Sequence, residues 1–420
     1  MRDPPVTSPD SPAINERLLL LVLAAIQFTT VLDFLIIMPL GPQYMRVFHI
    51  SPGQFGLMVS AYALSAGISG VMAGFFLDRF DRKPALVWLY AGFTLGTFCC
   101  ALAPTYHLLV AARAVAGAFG GVGGALILAI IGDAIPEHRR GAAMGMVMSS
   151  FSIASICGVP IGLVLATRLS WHVPFCVLAG VSVVICGMAA RVLPSLRGHL
   201  AHAHDQHPAQ RLLAVLMHTD HQMAFVFMAG LTFTGFTIFP YLSNYMVANV
   251  GLTENQLPFI YLFGGSATLF SMNLIGRWAD RTGNKRVFTV MSLVAAVPIL
   301  LLTNLPHVSL VAAVATSTLY MICMSGRMVP AMALMTASVE PRYRGGFMSI
   351  NSSVQQFTSG VAAYTSGAII GQSPQGAMTH FPIIGVLSVA CAWSCIYFAR
   401  FLRTPVGDDF LPPPLTVEQW

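Results

Sequence analysis

Three ionisable residues sit inside otherwise apolar runs of the chain: Asp33 in LDFLIIMPLGP, Arg113 in LVAARAVAG and Arg327 in ICMSGRMVPAM. A charge at bilayer depth costs at least about 2.5 kcal/mol on insertion scales, so each of these needs a partner or a wet cavity. Asp33 precedes Gln43 by ten residues, which places it about 15 Å from the outer end of its run as a helix. Arg113 lies about six residues, or roughly 9 Å, below the outer end of its own run. Consecutive spans run in opposite directions, so the two depths are comparable and an ion pair between the first and fourth helices is expected. Burial and a neighbouring cation act on a carboxyl in opposite senses. Asp33 is therefore a protonation switch, the acidic half of a permanent clamp between two helices, or a direct substrate contact.

Arg327 stands about 18 residues from the outer end of its run, in the inner half of the membrane, with no acidic residue obvious at similar depth. Its planar guanidinium suits bidentate recognition of an anionic group better than an ammonium would. The alternative is pairing with helix-end carbonyls. Tyr241, Asn244 and Tyr245, with Asn351, Gln355 and Gln356, complete the set of polar residues placed to line a cavity in the second half of the chain. Each of them serves equally as an ordinary interhelical hydrogen-bonding group.

The elements that must hold these residues follow from composition. Of 420 residues, 56% are hydrophobic and only 9% charged, with a mean hydropathy of +0.72. A soluble domain carries about 25% charged residues, so the exterior here faces lipid and large soluble domains are excluded. At roughly 20 apolar residues per span, the length accommodates about a dozen crossings. Apolar runs separated by charged or Pro-containing breaks place helices near 18–43, 55–77, 85–103, 107–132, 141–167 and 172–193. A second series follows near 223–249, 257–279, 287–304, 308–338, 346–370 and 381–402. The reading is an all-α membrane protein of twelve helices in two six-helix bundles, 18–193 and 223–402.

Residues 1–17 and 403–420 read as polar tails, the first without the features of a secretory signal. The connection 194–222 carries His199, His202, His204, His207, His218 and His221, a solvated linker with no ordered metal spacing. All eight cysteines fall in apolar stretches, including Cys99, Cys100, Cys391 and Cys395, so neither a disulfide framework nor a metal site is expected. No phosphate-binding Gly-Lys-Ser/Thr loop, zinc-hydrolase motif or nucleophile elbow occurs. Direct ATP drive, a cofactor and an enzymatic activity therefore have no support.

Orientation follows from the basic residues. With the N-terminus in the cytoplasm, 18 Lys and Arg fall inside and only Arg46 and Arg168 outside, which predicts that both termini are cytoplasmic. The same spread over many short loops argues against nucleic-acid binding, despite a net charge of +6.

Two loops repeat each other. GFFLDRFDRK carries Gly74, Asp78, Arg79, Arg82 and Lys83, and GRWADRTGNK carries Gly276, Asp280, Arg281 and Lys285, with matching positions 202 residues apart. The only two lysines of the chain occupy equivalent places in them. Such a duplication marks two structural repeats. EHRRG at 137–141 and PRYRG at 341–345 form a second repeated pair.

On these residues the chain resembles the major facilitator superfamily, whose loop between helices two and three reads G-x-x-x-D-R-x-G-R-[RK]. Asp81 replaces the internal glycine in the first copy, and Asn284 replaces the arginine in the second. Arg113 and Gly117 resemble the fourth-helix R-x-x-x-G motif of the same family, and Gly158, Pro160 and Gly162 in GVPIG resemble its efflux branch of drug, sugar and nucleoside exporters. The upstream glycines of that branch are Ser and Ala here, so the antiporter signature is partial. The resemblance covers nearly all of 18–402. It implies a monomeric secondary transporter of the bacterial inner membrane, exchanging a small organic solute for protons by alternating access. Helix five would hinge at Gly158–Gly162, and Asp78, Arg79 and Asp133 would form a cytoplasmic charge cluster, weaker in the second half where Ala337 matches Asp133. The rival reading is a proton-coupled importer of an anionic metabolite bound by Arg327.

Overall fold

With no water in hydrocarbon to satisfy backbone N–H and C=O groups, apolar runs close their hydrogen bonds within helices. The computed structural model describes residues 15–196, 215–339 and 344–402. The first six long helices are α1 (Glu16–Ile36), α2 (Pro52–Phe75), α3 (Arg82–Leu102), α4 (Tyr106–Ala134), α5 (His138–Arg168) and α6 (His172–Val192). The last six are α7 (His221–Ala248), α8 (Glu254–Thr282), α9 (Asn284–Thr303), α10 (Leu310–Ala337), α11 (Arg344–Ile369) and α12 (Phe381–Ala399). Both tails beyond these bounds, most of the His-rich connection and residues 340–343, which include the start of PRYRG, lie outside the described residues.

Eleven of the twelve helices are long and apolar enough to cross a membrane. The exception, α11, carries Ser349, Asn351, Ser352, Ser353, Gln355 and Gln356, and packs against α2 and α7. Elsewhere the exterior is apolar, with Trp88, Leu95, Phe270 and Val311 among its exposed side chains.

The sequence predicts an unbroken first helix over 18–43, and the structure divides it. The chain turns at 37–40 and resumes as a short helix at Gly41–Val47. Pro39 has no N–H to continue the ladder and disfavours helix in the residue before it. In α7 a 3-10 turn at Phe239–Tyr241, containing Pro240, interrupts the helix in the same way. Pro39 and Pro240, like Tyr44 and Tyr245, are 201 residues apart, so the two breaks are copies of one feature.

In α5 the irregularity is a π-helical turn at Ala154–Gly158, directly before Pro160. The proline withholds its N–H from the Ile156 carbonyl, and the widened turn accommodates that loss. Both this turn and the segment Val159–Arg168 after it lie against α8.

The two sets of six meet most closely along α2 and α11. A Cβ on Gly67 would fall 2.8 Å from the Phe357 backbone nitrogen, so only glycine fits there. At the end of the molecule opposite the start of α1, Tyr241 donates to the Ala363 carbonyl at 2.8 Å and lies 3.3 Å from that of Pro52. Arg46 pairs there with Glu254, joining the short helix after α1 to the start of α8. The hydrogen bond to Glu254 raises the Arg46 pKa above its ordinary value. That end of the interface is closed.

Candidate functional site

The site grows out of the break after α1. A helix leaves its last four carbonyls without intrahelical donors. Arg113 of α4 supplies one, donating from Nη1 to the Asp33 carbonyl at 3.1 Å and to Asp33 Oδ2 at 2.6 Å. The second carboxylate oxygen accepts from Thr97 Oγ1 of α3 at 3.1 Å. Tyr62 of α2 presents its ring face to the guanidinium, 4.4 Å from its carbon, an arrangement that favours the cation. Asp33 and Arg113 are both 0% exposed.

Among the described residues, Arg113 Nε and Nη2 have no hydrogen-bond partner, and neither has the buried Tyr44 hydroxyl. The adjoining residue Phe34 packs on Tyr62 at 5.3 Å and on Phe236 of α7 at 5.8 Å. The charge pair is thus one residue away from a contact between the two sets of six helices.

A buried ion pair is a weak source of stability, because desolvation offsets most of the attraction, yet losing one partner strands a charge. Such a pair tolerates no half-measure. It holds while both groups are charged, and protonating the acid converts the site to one cation with its ligands.

Arg327 of α10 is 0% exposed and faces no carboxylate among the described residues. Its Nη1 lies 3.9 Å from Met324 Sδ, and its Nε and Nη2 have no partner. Asn351 Oδ1 and both side-chain polar atoms of Asn244 are also buried and unpartnered, whereas Gln355 is half-buried. The Tyr241 and Tyr245 hydroxyls, expected to orient a ligand, are instead used within the fold. Tyr241 closes the interface as described, and Tyr245 donates to the Leu305 carbonyl at 3.0 Å while stacking on Phe381.

The charged loop of the first copy is described in part. Asp133 pairs with Arg82, whose Nε is 3.2 Å from its Oδ2, and Arg79 is exposed. The Asp78 side chain lies outside the described residues. In the second copy Asp280, Arg281 and Lys285 are exposed and Gly276 lies against Val329. Gly158 and Gly162 of α5 rest on Leu32 and Ile36 of α1, beside Asp33.

Sequence reasoning did not reach Thr97, Tyr62 or the Arg46–Glu254 pair. Thr97 and Tyr62 are ordinary residues of apolar helices, and nothing in their spacing points to α1. Two apolar grooves, of about 410 Å³ between α2 and α11 and about 290 Å³ between α7, α11 and α12, lie apart from Asp33 and share Thr358.

The family model of the Major Facilitator Superfamily matches residues 23–272 and 223–416. The chain belongs to this superfamily. It is 27% identical over 365 residues to the uncharacterized MFS-type transporter YceJ of Bacillus subtilis, covering 86% of this chain and 91% of YceJ. The inner membrane transport protein YdhP of Escherichia coli O157:H7 is 24% identical over 371 residues, 86% of this chain and 91% of YdhP. Among solved structures, a D-xylose–proton symporter superposes with a TM-score of 0.75 at 15% identity, over 93% of this chain and 98% of the symporter. The nucleoside transporter NupG gives 0.73 at 13% identity, over 93% of this chain and all of NupG. This superfamily member is a multi-pass secondary transporter of small molecules with the all-α, twelve-helix fold, and it is not an enzyme.

Proposed function

We propose that the chain is a proton-coupled exporter of a small organic solute, a monomer with both termini in the cytoplasm of a bacterium. The observation that carries this reading is the fully buried Asp33–Arg113 pair, 2.6 Å apart and joined through Phe34 to the opposite set of helices. In the proposed cycle Asp33 releases its proton toward the cytoplasm as solute loads. The restored carboxylate re-forms the pair with Arg113, and reprotonation from outside accompanies solute release.

The closed end bearing Arg46, Glu254 and Tyr241 is then the extracytoplasmic end. Alternating access requires these contacts to part while the loops of Arg82, Lys83, Asp133 and Lys285 approach one another. The π-turn before Pro160 gives α5 a bending point within that motion. Residues 18–193 and 223–402 act as the two rocking units. Arg327, Asn244, Asn351 and Gln355 supply the polar groups for solute in the second unit.

The test is solute-dependent collapse of an imposed pH gradient in vesicles of both orientations. Export by antiport predicts gradient collapse when solute reaches the cytoplasmic face of inverted vesicles, abolished by Asp33→Asn. Unchanged coupled flux in that variant would overturn the assignment of Asp33, and flux only in the uptake direction with protons would overturn export.

A further inference from the structure

We infer that Arg327 is the anion-recognising group for the solute and takes a carboxylate of the solute side-on through Nε–H and Nη2–H. These two donors lie on one edge of the guanidinium, parallel and spaced to meet both oxygens of a carboxylate. Among the described residues these two have no hydrogen-bond partner. The groups acting on Arg327 are Cys391 and Cys395 of α12 and Tyr320 and Cys323 of α10, none of them a carboxylate.

A cation enclosed without a counter-charge is the costliest arrangement a buried polar group can have. Arg113 offers the same free edge, but Asp33 already balances its charge. Arg327 therefore calls for one negative charge and two acceptor oxygens, which a monocarboxylate supplies. A neutral solute leaves the cation uncompensated, and a dianion leaves a second charge uncompensated.

Met324, which is half-buried, touches Nη1 through its sulfur at 3.9 Å. An unbranched thioether side chain changes rotamer readily, so Met324 covers the cation without fixing it. The inference rests on the reading of the chain as a small-solute transporter but not on the direction of transport or on coupling to protons.

Binding of acetate, butyrate and benzoate to the purified full chain in detergent tests it, with acetamide, butyramide and benzamide as neutral isosteres. At least one carboxylate should raise the thermal midpoint in a concentration-dependent way while its amide does not. Arg327→Lys, which keeps the charge but loses the fork, should weaken that binding about tenfold or more. Arg327→Met should abolish it, and Met324→Ala should retain it and speed association. If Arg327→Met does not fold, the lysine variant carries the test. Loss of proton-coupled flux in Asp33→Asn bears on the coupling alone and leaves this inference, which is read as binding at Arg327, standing. No response to any carboxylate, equal response to acids and amides, or wild-type affinity in the Arg327 variants would overturn it.

Discussion

In the first six helices Arg113 of α4 meets Asp33 of α1 at 2.6 Å, whereas the position 201 residues after Asp33 is Thr234, and α10 carries its arginine at 327 without a carboxylate. Thr234 donates to the Gly230 carbonyl of its own helix at 2.9 Å, a neutral local contact. One duplicated framework thus holds a balanced pair on one side and an unbalanced cation on the other. The balanced side suits reversible protonation, and the unbalanced side suits a ligand that brings its own charge.

The duplicated loops differ in a similar way. Asp81 stands at φ −59°, caps α3 through the Lys83 N–H at 3.1 Å, and accepts from the Leu196 N–H at 3.1 Å and the Ser195 hydroxyl after α6. Gly283, two residues before the matching lysine, takes φ +91° and ψ 137°, a conformation reserved for glycine. The first loop is tied by a side chain and the second is shaped by its backbone. Replacement of the family glycine by Asp81 is therefore no defect, since that backbone no longer needs glycine.

Breaking the charge comparison should give the largest effect. Arg113→Ala strands a buried carboxylate and should cost about 3–5 kcal/mol, read as a large drop in thermal midpoint. Arg113→Ala with Asp33→Asn should recover part of that loss, because the stranded charge is gone. Gly67→Val comes next: it forces α2 from Phe357 and should cost about 1–3 kcal/mol and slow transport, measured in flux assays and by unfolding.

The loops sharpen the comparison at smaller scale. Gly283→Asp should destabilise by about 1–3 kcal/mol through backbone strain. Asp81→Ala loses a cap and should cost about 0.5–2 kcal/mol, with less effect than the change at Gly283, in paired melting curves. Smallest in stability is Arg46→Gln, since an ion pair with one exposed partner contributes about 1 kcal/mol or less. Its effect should appear instead as increased labelling of cysteines introduced beside Glu254, reporting an opened outer end.

Much of this was legible because lipid imposes a simple rule. Apolar runs of sufficient length become helices, so α3, α6 and α12 lie within a few residues of their expected bounds. Even the polar α11 was placed, at 346–370 against Arg344–Ile369, since its flanking charges and loops delimit it. Their distances from the helix ends put Asp33 and Arg113 at a common level, and the structure puts them in contact. Helix rotation was not legible. It decides that Asp133 meets Arg82 rather than Arg79, that Tyr241 reaches Ala363, and that Thr97 reaches Asp33. The break in α1 is not legible because Pro39 lies inside an apolar run whose hydropathy continues across it.

The most direct measurement is an infrared pH titration of the protonated-carboxyl stretch in the purified protein, comparing wild type with Asp33→Asn. The account predicts that the wild-type-minus-variant difference holds a carboxyl component that grows reversibly on acidification, over the shared signal of the other acidic residues. Identical titrations of the two proteins would contradict it.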